Sequence, residues 1–413
     1  MVRVSMKILL HSIFFAPVLT GVGKYTGEMA AWLASRGHEV HVVTAPPYYP
    51  DWRVSPGYRA DTYTTERWQG VRVWRCPVWV PARPNGLNRV LHLASFAASS
   101  FPVMLRQLSW RPDVVWVVEP PLFCAPTGLL VARLCGARAW LHVQDYEVDA
   151  AFELGLLRGA TLGRMVAVWE RGLMRRFDRV STISRRMLER ARSKGVRPER
   201  LVSFPNWVNM DAVAPPSGPN PVREELCIAP NEAVALYSGT MGRKQGLEIL
   251  AQAADRLQDA LDVVFVFCGD GAGREELVAL CDGLPNVRFL HLQPLERLGA
   301  VLGMADMHLM PQQAGAADLV MPSKLTGMLA SGAPVVATCA EGTELARVVQ
   351  DRGLIVPPGD TDAFVKAIRT LTDDKDLRTR MGANAREYAR QHLSRDRVLA
   401  AFEKALEEAL HRS

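Results

Sequence analysis

The sequence predicts an α/β protein built as two Rossmann-like, doubly wound domains that face each other across a cleft. Three observations carry that prediction. At 413 residues the chain is longer than one core usually supports, which makes two domains of roughly 200 residues each the default. Short runs rich in Val, Ile and Leu alternate with helical patterns from end to end, as buried parallel strands with crossover helices require. Between the halves lies APPSGPNP, residues 214–221, whose prolines and glycine read as a linker.

In order, the first half offers strands at 6–11, 39–44, 71–75, 113–118, 138–143, 178–183 and 201–204, each a short apolar run. The first strand leaves into a loop that ends at Gly21-Val22-Gly23, and a helix follows over 24–35. The second half restarts the pattern with strands at 233–237, 261–267, 287–290, 307–310, 334–338 and 353–356. Helices are expected from 247 and from near Pro322 and Ser323. Three more helical stretches, 362–372, 376–392 and 395–411, close the chain. The domains are accordingly read as 1–213 and 222–392, with 393–413 a terminal helix.

The net charge of +6 hides an asymmetry: residues 1–214 carry 28 Lys+Arg against 16 Asp+Glu, and residues 215–413 carry 21 against 27. A basic half asks for an anionic partner. Nucleic acid is disfavoured, because the chain has no zinc-finger spacing, no aromatic RNA-binding strand and no lysine-rich tail. Residues 83–111 set arginines among apolar side chains, which suits either a helix in a membrane interface or a core-packed helix with a solvated rim. Pro102 and several serines keep that stretch from spanning a bilayer. The apolar run 8–19 is interrupted by His11 and Ser12 and reads as a buried strand, not a secretion signal. Seven scattered cysteines without a C-x-x-C pair fit a reduced, cytoplasmic compartment.

Ligands of open α/β sheets bind beyond the carboxyl ends of the strands, so the loops there are where chemistry is expected. The segment DLVMPSKLTGMLASGAPVVAT, 318–338, opens a helix with Lys324 in its first turn. It is either an anion site, made of unpaired N–H groups and a cation, or a plain helix cap. The loop Ser238-Gly239-Thr240-Met241-Gly242-Arg243-Lys244-Gln245-Gly246 is either a diphosphate clamp or a solvated turn. In Gly269-Asp270-Gly271, Asp270 could act on a ligand or cap the next helix. His142-Val143-Gln144-Asp145 ends a strand, where His142 and Asp145 either orient a hydroxyl or are structural. A dinucleotide fingerprint at Gly21, Gly23 and Gly27 is disfavoured, because those glycines lie well beyond the strand end. The D-x-D spacings at Asp360/Asp362 and Asp374/Asp376 suit helix capping better than metal ligation.

Taken together, the Gly21-Val22-Gly23 loop, PNWVN at 205–209, the 239–246 loop, Gly269-Asp270-Gly271, Ala305-Asp306 and SGAPVV at 331–336 are matched by a known family. The sequence resembles the family-4 type retaining glycosyltransferases of the GT-B fold over essentially its whole length. PPYYPDW, GVRVWRCPVWVP, HVQD, GRKQG and ADLVMPSKL resemble the branch that includes the colanic acid fucosyltransferase and the N-acetyl-L-fucosamine transferases. The resemblance implies a nucleoside-diphosphate sugar donor of GDP or UDP type, bound mainly by the C-terminal domain; with the diphosphate held by helix N-termini, Arg243, Lys244 and Lys324, no metal and no cofactor is expected. It implies that the last helix crosses back to the first domain, that Gly21, Val22 and Gly23 pack against the donor, and that a sugar acceptor lies on the N-terminal side.

The expected donor contacts are Gly239, Thr240, Met241, Gly242, Gln245, Gly269, Asp270, Gly271, Leu290, Asp318, Met321, Pro322 and Ser323, with His142, Asp145, Arg243, Lys244 and Lys324 as the catalytic set. The wider family has glutamates where this chain has Leu319 and Gly327. Its common Arg and Lys positions fall on Thr240 and Gln245, so Arg243, Lys244 and Lys324 are expected to carry the phosphate charge. The expected partners are the donor and a lipid-linked glycan at the inner membrane face, with the protein peripheral to that membrane. A nucleotide-sugar 2-epimerase and a non-catalytic partner in a polysaccharide assembly complex are the alternatives.

Overall fold

The computed structural model describes residues 5–18, 21–149, 160–213, 218–242, 245–260, 262–313 and 322–411. The chain forms two compact units, Met1–Pro205 with Leu399–Ser413, and Asn206–Val398. The division thus falls after Pro205 rather than at 213, within PNWVN, so that residues 206–209 enter the second unit. One reason is local: Val208 pairs with Ser394 in a bridge, and its backbone N–H donates to the Leu393 carbonyl at 2.8 Å.

The first unit runs β1 (Lys7–His11), α1 (Gly21–Ser35), β2 (Glu39–Thr44), β3 (Thr64–Trp68), β4 (Val71–Arg75), α2 (Gly86–Arg106), β5 (Val114–Glu119), α3 (Ala125–Cys135), β6 (Arg138–Val143), α4 (Ala160–Met174), β7 (Arg179–Thr182), α5 (Arg185–Ser193) and β8 (Leu201–Ser203). Its sheet has the order β3-β4-β2-β1-β5-β6-β7-β8, parallel except for β3 against β4. Every residue of β5 is buried, as a central parallel strand covered on both faces must be. The step from β1 to β2 runs one way along the sheet, and the steps from β4 to β5, β6 and β7 run the other. Right-handed crossovers therefore put α1 on one face and α2, α3 and α4 on the opposite one. Strand β3 was not expected from the sequence. TTERW alternates polar side chains and sits at the sheet edge, so it lacks an apolar run. In its two-residue hairpin turn Gln69 and Gly70 both take positive φ, 45° and 84°.

The second unit runs α6 (Pro221–Glu225), β9 (Ala233–Ser238), α7 (Glu248–Arg256), β10 (Val263–Cys268), α8 (Arg274–Leu280), β11 (Val287–Leu290), α9 (Leu298–Gly303), β12 (Met307–Met310), α10 (Lys324–Ser331), β13 (Val335–Thr338), α11 (Glu344–Val349), β14 (Gly353–Val356), α12 (Thr361–Asp373) and α13 (Lys375–Tyr388). The sheet is wholly parallel, in the order β11-β10-β9-β12-β13-β14. The direction of winding reverses between β9 and β12, so the ligand crevice of this unit is expected beyond those two strand ends.

Asp360 caps α12 by accepting from Ala363 N at 2.9 Å, and Asp374 caps α13 by accepting from Leu377 N at 2.8 Å. The helix expected over 376–392 gives way after Tyr388 to a π-turn at Ala389–Leu393, and α14 (Arg395–His411) follows. From Leu399 onward α14 belongs to the first unit. There Phe402 stacks on Phe204 at 4.1 Å and meets Trp140 edge-on at 5.3 Å, while Glu403 pairs with His38 at 3.0 Å and Arg36 at 3.3 Å. Since Arg36 and His38 bracket the end of α1, α14 lies on the α1 face of the sheet.

Candidate anion site

In the second unit the chain leaves β9 as Ser238-Gly239-Thr240-Met241-Gly242 and leaves β10 as Gly269-Asp270-Gly271. The two loops are laced together by backbone bonds. Gly239 N donates to the Cys268 carbonyl at 3.0 Å, Met241 N to the Asp270 carbonyl at 2.9 Å, and Gly273 N to the Met241 carbonyl at 2.8 Å. The lacing explains the glycines. A Cβ on Gly269, whose φ is +152°, would lie 1.9 Å from the Gly239 oxygen, and one on Gly271 would lie 2.4 Å from the Met241 oxygen.

Asp270 is not a helix cap, contrary to one reading of the sequence. The N-cap of α8 is Gly273, and Asp270 reaches sideways instead. Its carboxylate meets His291 Nδ1 at 2.7 Å and accepts from Leu292 N at 2.8 Å, which together hold its pKa below the usual carboxylate range. Asp270 thus ties the β10 loop to the end of β11, where Leu290 accepts from Gly269 N at 3.0 Å. Leu290 and Asp270 are brought to the site as scaffold.

Lys324 opens α10 and points back at this frame. Its Nζ lies 4.6 Å from the centroid of the Tyr237 ring and 3.4 Å from Gln245 Oε1, and its Cδ is 3.2 Å from where a Gly239 Cβ would be. Tyr237 was not anticipated, although it sits immediately before the Ser238-Gly239 turn; its hydroxyl donates to the Thr240 carbonyl at 2.7 Å and fixes the loop. Burial pushes the Lys324 ammonium down to about 8. Among the described residues no carboxylate lies within ion-pair distance of it. A desolvated cation beside a glycine turn, at the reversal between β9 and β12, is an arrangement that an anion completes.

Pro322 and Ser323 precede α10; Ser323 is exposed, in helical φ/ψ, and its side chain does not cap the helix. Thr338 closes the other side, accepting from Gln312 N at 2.6 Å and donating to the Gln312 carbonyl at 2.9 Å. Gly327, where the wider family has glutamate, packs α10 on α9: a Cβ there would meet Leu302 Cδ1 at 2.9 Å. Arg243, Lys244, Asp318, Leu319 and Met321 lie outside the described residues. Within the described residues no group of three His, Cys, Asp or Glu is placed to hold a metal ion.

In the first unit the sequence-predicted residues divide. Gly21 starts α1 with φ +55° and open space around it, while Gly23 is buried, with a Cβ excluded by Val18 Cβ at 2.9 Å; Val22 accepts from Thr26 Oγ1 at 2.7 Å. The helix thus begins at Gly21, not Lys24. His142 departs from the expectation that it faces a ligand. It is buried under the α14 face, stacked on Trp116 at 5.1 Å, with Nδ1 2.9 Å from Ser181 Oγ and Nε2 2.9 Å from Gln144 Nε2. Burial drives its pKa down to about 3, so the ring is neutral and serves to hold Gln144. Asp145 is exposed in the loop beyond.

On the opposite sheet face, sequence reasoning missed a cluster of buried acids. Among the described residues neither oxygen of Glu119 has a hydrogen-bond partner, and burial, then Glu147 and Glu170, raises its pKa well above the ordinary value. Glu147 accepts from Leu122 N at 2.7 Å and is raised by burial to about 7, and Lys194 bridges Glu170 and Asp149 at 2.5 and 2.9 Å.

Known proteins share this construction. Residues 20–207 match the family model described as Glycosyl transferase 4-like domain, and residues 221–388 the model described as Glycosyl transferases group 1. The chain is 44% identical to a protein of Escherichia coli K12 named as a colanic acid biosynthesis glycosyl transferase, WcaI, over 96% of this chain and 98% of that one. Among solved structures, sucrose-phosphate synthase from Thermosynechococcus elongatus superposes with a TM-score of 0.76 at 16% identity, covering 98% of this chain and 99% of that chain. The Anabaena protein HepE, solved with UDP and glucose, gives 0.67 at 16% identity, covering 98% of this chain and all of that one. The chain therefore belongs to the family-4 glycosyltransferases of the GT-B fold, and it is a transferase.

Proposed function

We propose that the protein transfers a sugar, L-fucose or a related deoxysugar, from a nucleoside diphosphate to a lipid-linked glycan at the inner face of the cell membrane, with retention at the anomeric carbon. The reading has support from the E. coli relative, whose name places it in colanic acid biosynthesis, and from HepE, which was solved with UDP and glucose. The observation that carries it is Lys324, a buried ammonium packed against the Gly239 turn at the point where the sheet reverses.

The diphosphate lies across the Gly239–Gly242 and Gly269–Gly271 loops, with Lys324 on its charge and Gln245 orienting the ammonium. Arg243 and Lys244 supply further charge. As the bond from C1 to the phosphate oxygen breaks, negative charge grows on the leaving diphosphate, and these cations stabilise that growth without a metal ion. The acceptor oxygen bonds to C1 on the same face, and its proton passes to the departing phosphate. His142 is a positioning residue that acts through Gln144.

Lys324→Ala and Arg243→Ala should each abolish most turnover while leaving the circular dichroism and melting temperature near those of the parent; full activity in both would refute the clamp. Activity should persist in excess EDTA. Thermal-shift titration against GDP, UDP and their sugars identifies the nucleotide, and no stabilisation by either would count against a nucleoside-diphosphate donor.

A further inference from the structure

The solvent side of the α2–α3–α4 layer is apolar where a surface helix is ordinarily polar. On α2, Leu87 is 70% exposed, and Val90, Leu91 and Phe101 are exposed with it. These positions follow the helical period together with Ala94 and Ala98, so they form one stripe. On α3, Leu130 and Leu134 stand one turn apart, the latter 62% exposed. On α4, Met165 and Val168 are 65% and 61% exposed, with Trp169 beside them. The stripes are contiguous: α2 packs beside α3, and Phe123, just ahead of α3, meets the Trp169 ring at 6.2 Å.

The charge on this layer is one-sided. The single carboxylate in the described residues of the three helices is Glu170, which is buried, whereas Arg89, Arg106, Arg133, Arg164 and Arg171 are exposed. A second copy docked here by a two-fold axis would bring arginines against arginines. An anionic, apolar-cored surface meets both requirements at once.

We propose that this face of the first unit docks on an anionic lipid bilayer, its apolar stripes entering the headgroup region and its arginines pairing with lipid phosphates. No helix among the described residues is long and apolar enough to cross a membrane, so the contact is one of lying on the surface. The docking surface stands on this geometry alone, and it holds whether or not the acceptor is lipid-linked.

Flotation of the purified full-length chain with vesicles of phosphatidylcholine, with and without phosphatidylglycerol, tests it in the absence of any substrate. Binding should require phosphatidylglycerol and weaken as salt is raised. The double variant Leu134→Glu/Val168→Glu, both at exposed positions, should float at least tenfold less while keeping the parent's circular dichroism, and the exposed control Leu280→Glu in the second unit should float like the parent. Arg133→Gln/Arg171→Gln should reduce both binding and its salt dependence. Absence of phosphatidylglycerol-dependent binding at low salt would overturn the proposal, as would equal binding by the double variant. A lipid-free dimer in sedimentation velocity that Leu134→Glu/Val168→Glu abolishes would instead assign the face to self-association and overturn it too. Donor hydrolysis assays run in parallel report on the transferase reading separately.

Discussion

Lys324 carries the heaviest functional demand of any single side chain described. Its folded-state pKa of about 8 is depressed from the ordinary 10.5, so the charged form is penalised while the site is empty. A bound diphosphate raises that pKa again, which means that nucleotide binding takes up a proton at mildly alkaline pH. Affinity for the nucleoside diphosphate should therefore be level near neutrality and fall as pH rises above about 8, by up to about tenfold per pH unit. Calorimetric titration across that range checks the slope. Lys324→Arg, whose guanidinium stays charged, should remove the alkaline fall, whereas Lys324→Ala should cost on the order of 10²–10³ in turnover. The linked folding term has the matching sign: the cost of burying the ammonium is present below about 8 and is relieved as pH rises toward 10.5. Of this site, Lys324, Gly239 and Gly269 were legible because glycine, lysine and a strand end each have a local signature. Tyr237 was not, because an aromatic at the end of a buried strand is indistinguishable in sequence from a core residue. His142 misled for the complementary reason: strand alternation puts it on the same face as Trp140, and only the closure of α14 over that face decides that it is interior.

The laced loops and the buried acid cluster behave as units, and their predictions follow from that. Gly269→Ala demands a Cβ inside the Gly239 carbonyl and a φ that alanine avoids, so it should destabilise the second unit by roughly 2–4 kcal/mol and weaken nucleotide binding with it. Denaturant titration and nucleotide thermal shift together separate the two effects. In the first unit, Glu119 and Glu147 have folded pKa values raised above those of the unfolded chain. The folded state then holds more protons, and stability falls as pH rises from the ordinary carboxylate range through about 7. Glu119→Gln removes one ionisation from a place where both oxygens are unpartnered, so it should raise the melting temperature at pH 8 more than at pH 5. An equal shift at both would contradict this account. Nothing in the motif around Glu119 announced the cluster. Its members come from β5, the helical turn after β6, α4 and the end of α5, and only the register of the sheet brings them together.

For the chain as a whole, thirteen of the strands among the described residues were legible, because strands of a parallel sheet leave short apolar runs. The remaining one, β3, escaped because an edge strand is polar by necessity, and the unit boundary shifted because Val208 pairs forward with Ser394. The first unit is discontinuous in sequence: residues 399–411 supply Phe402 and Glu403 to a face made by Trp140, Phe204, Arg36 and His38. A fragment of residues 1–205 should accordingly be poorly soluble and bind hydrophobic dyes, and co-expression with a segment covering 395–413 should restore a cooperative melt. Phe402→Ala in the full chain should cost about 3–5 kcal/mol. Because a ribosome emits the chain from its N-terminus, the face around Trp140 and Phe204 waits uncovered until Phe402 and its neighbours in α14 have been made. The second unit, encoded in the middle, can finish first. The order of synthesis and the order of completion are thus reversed in this protein, and the period between them is when a nascent chain most needs a chaperone.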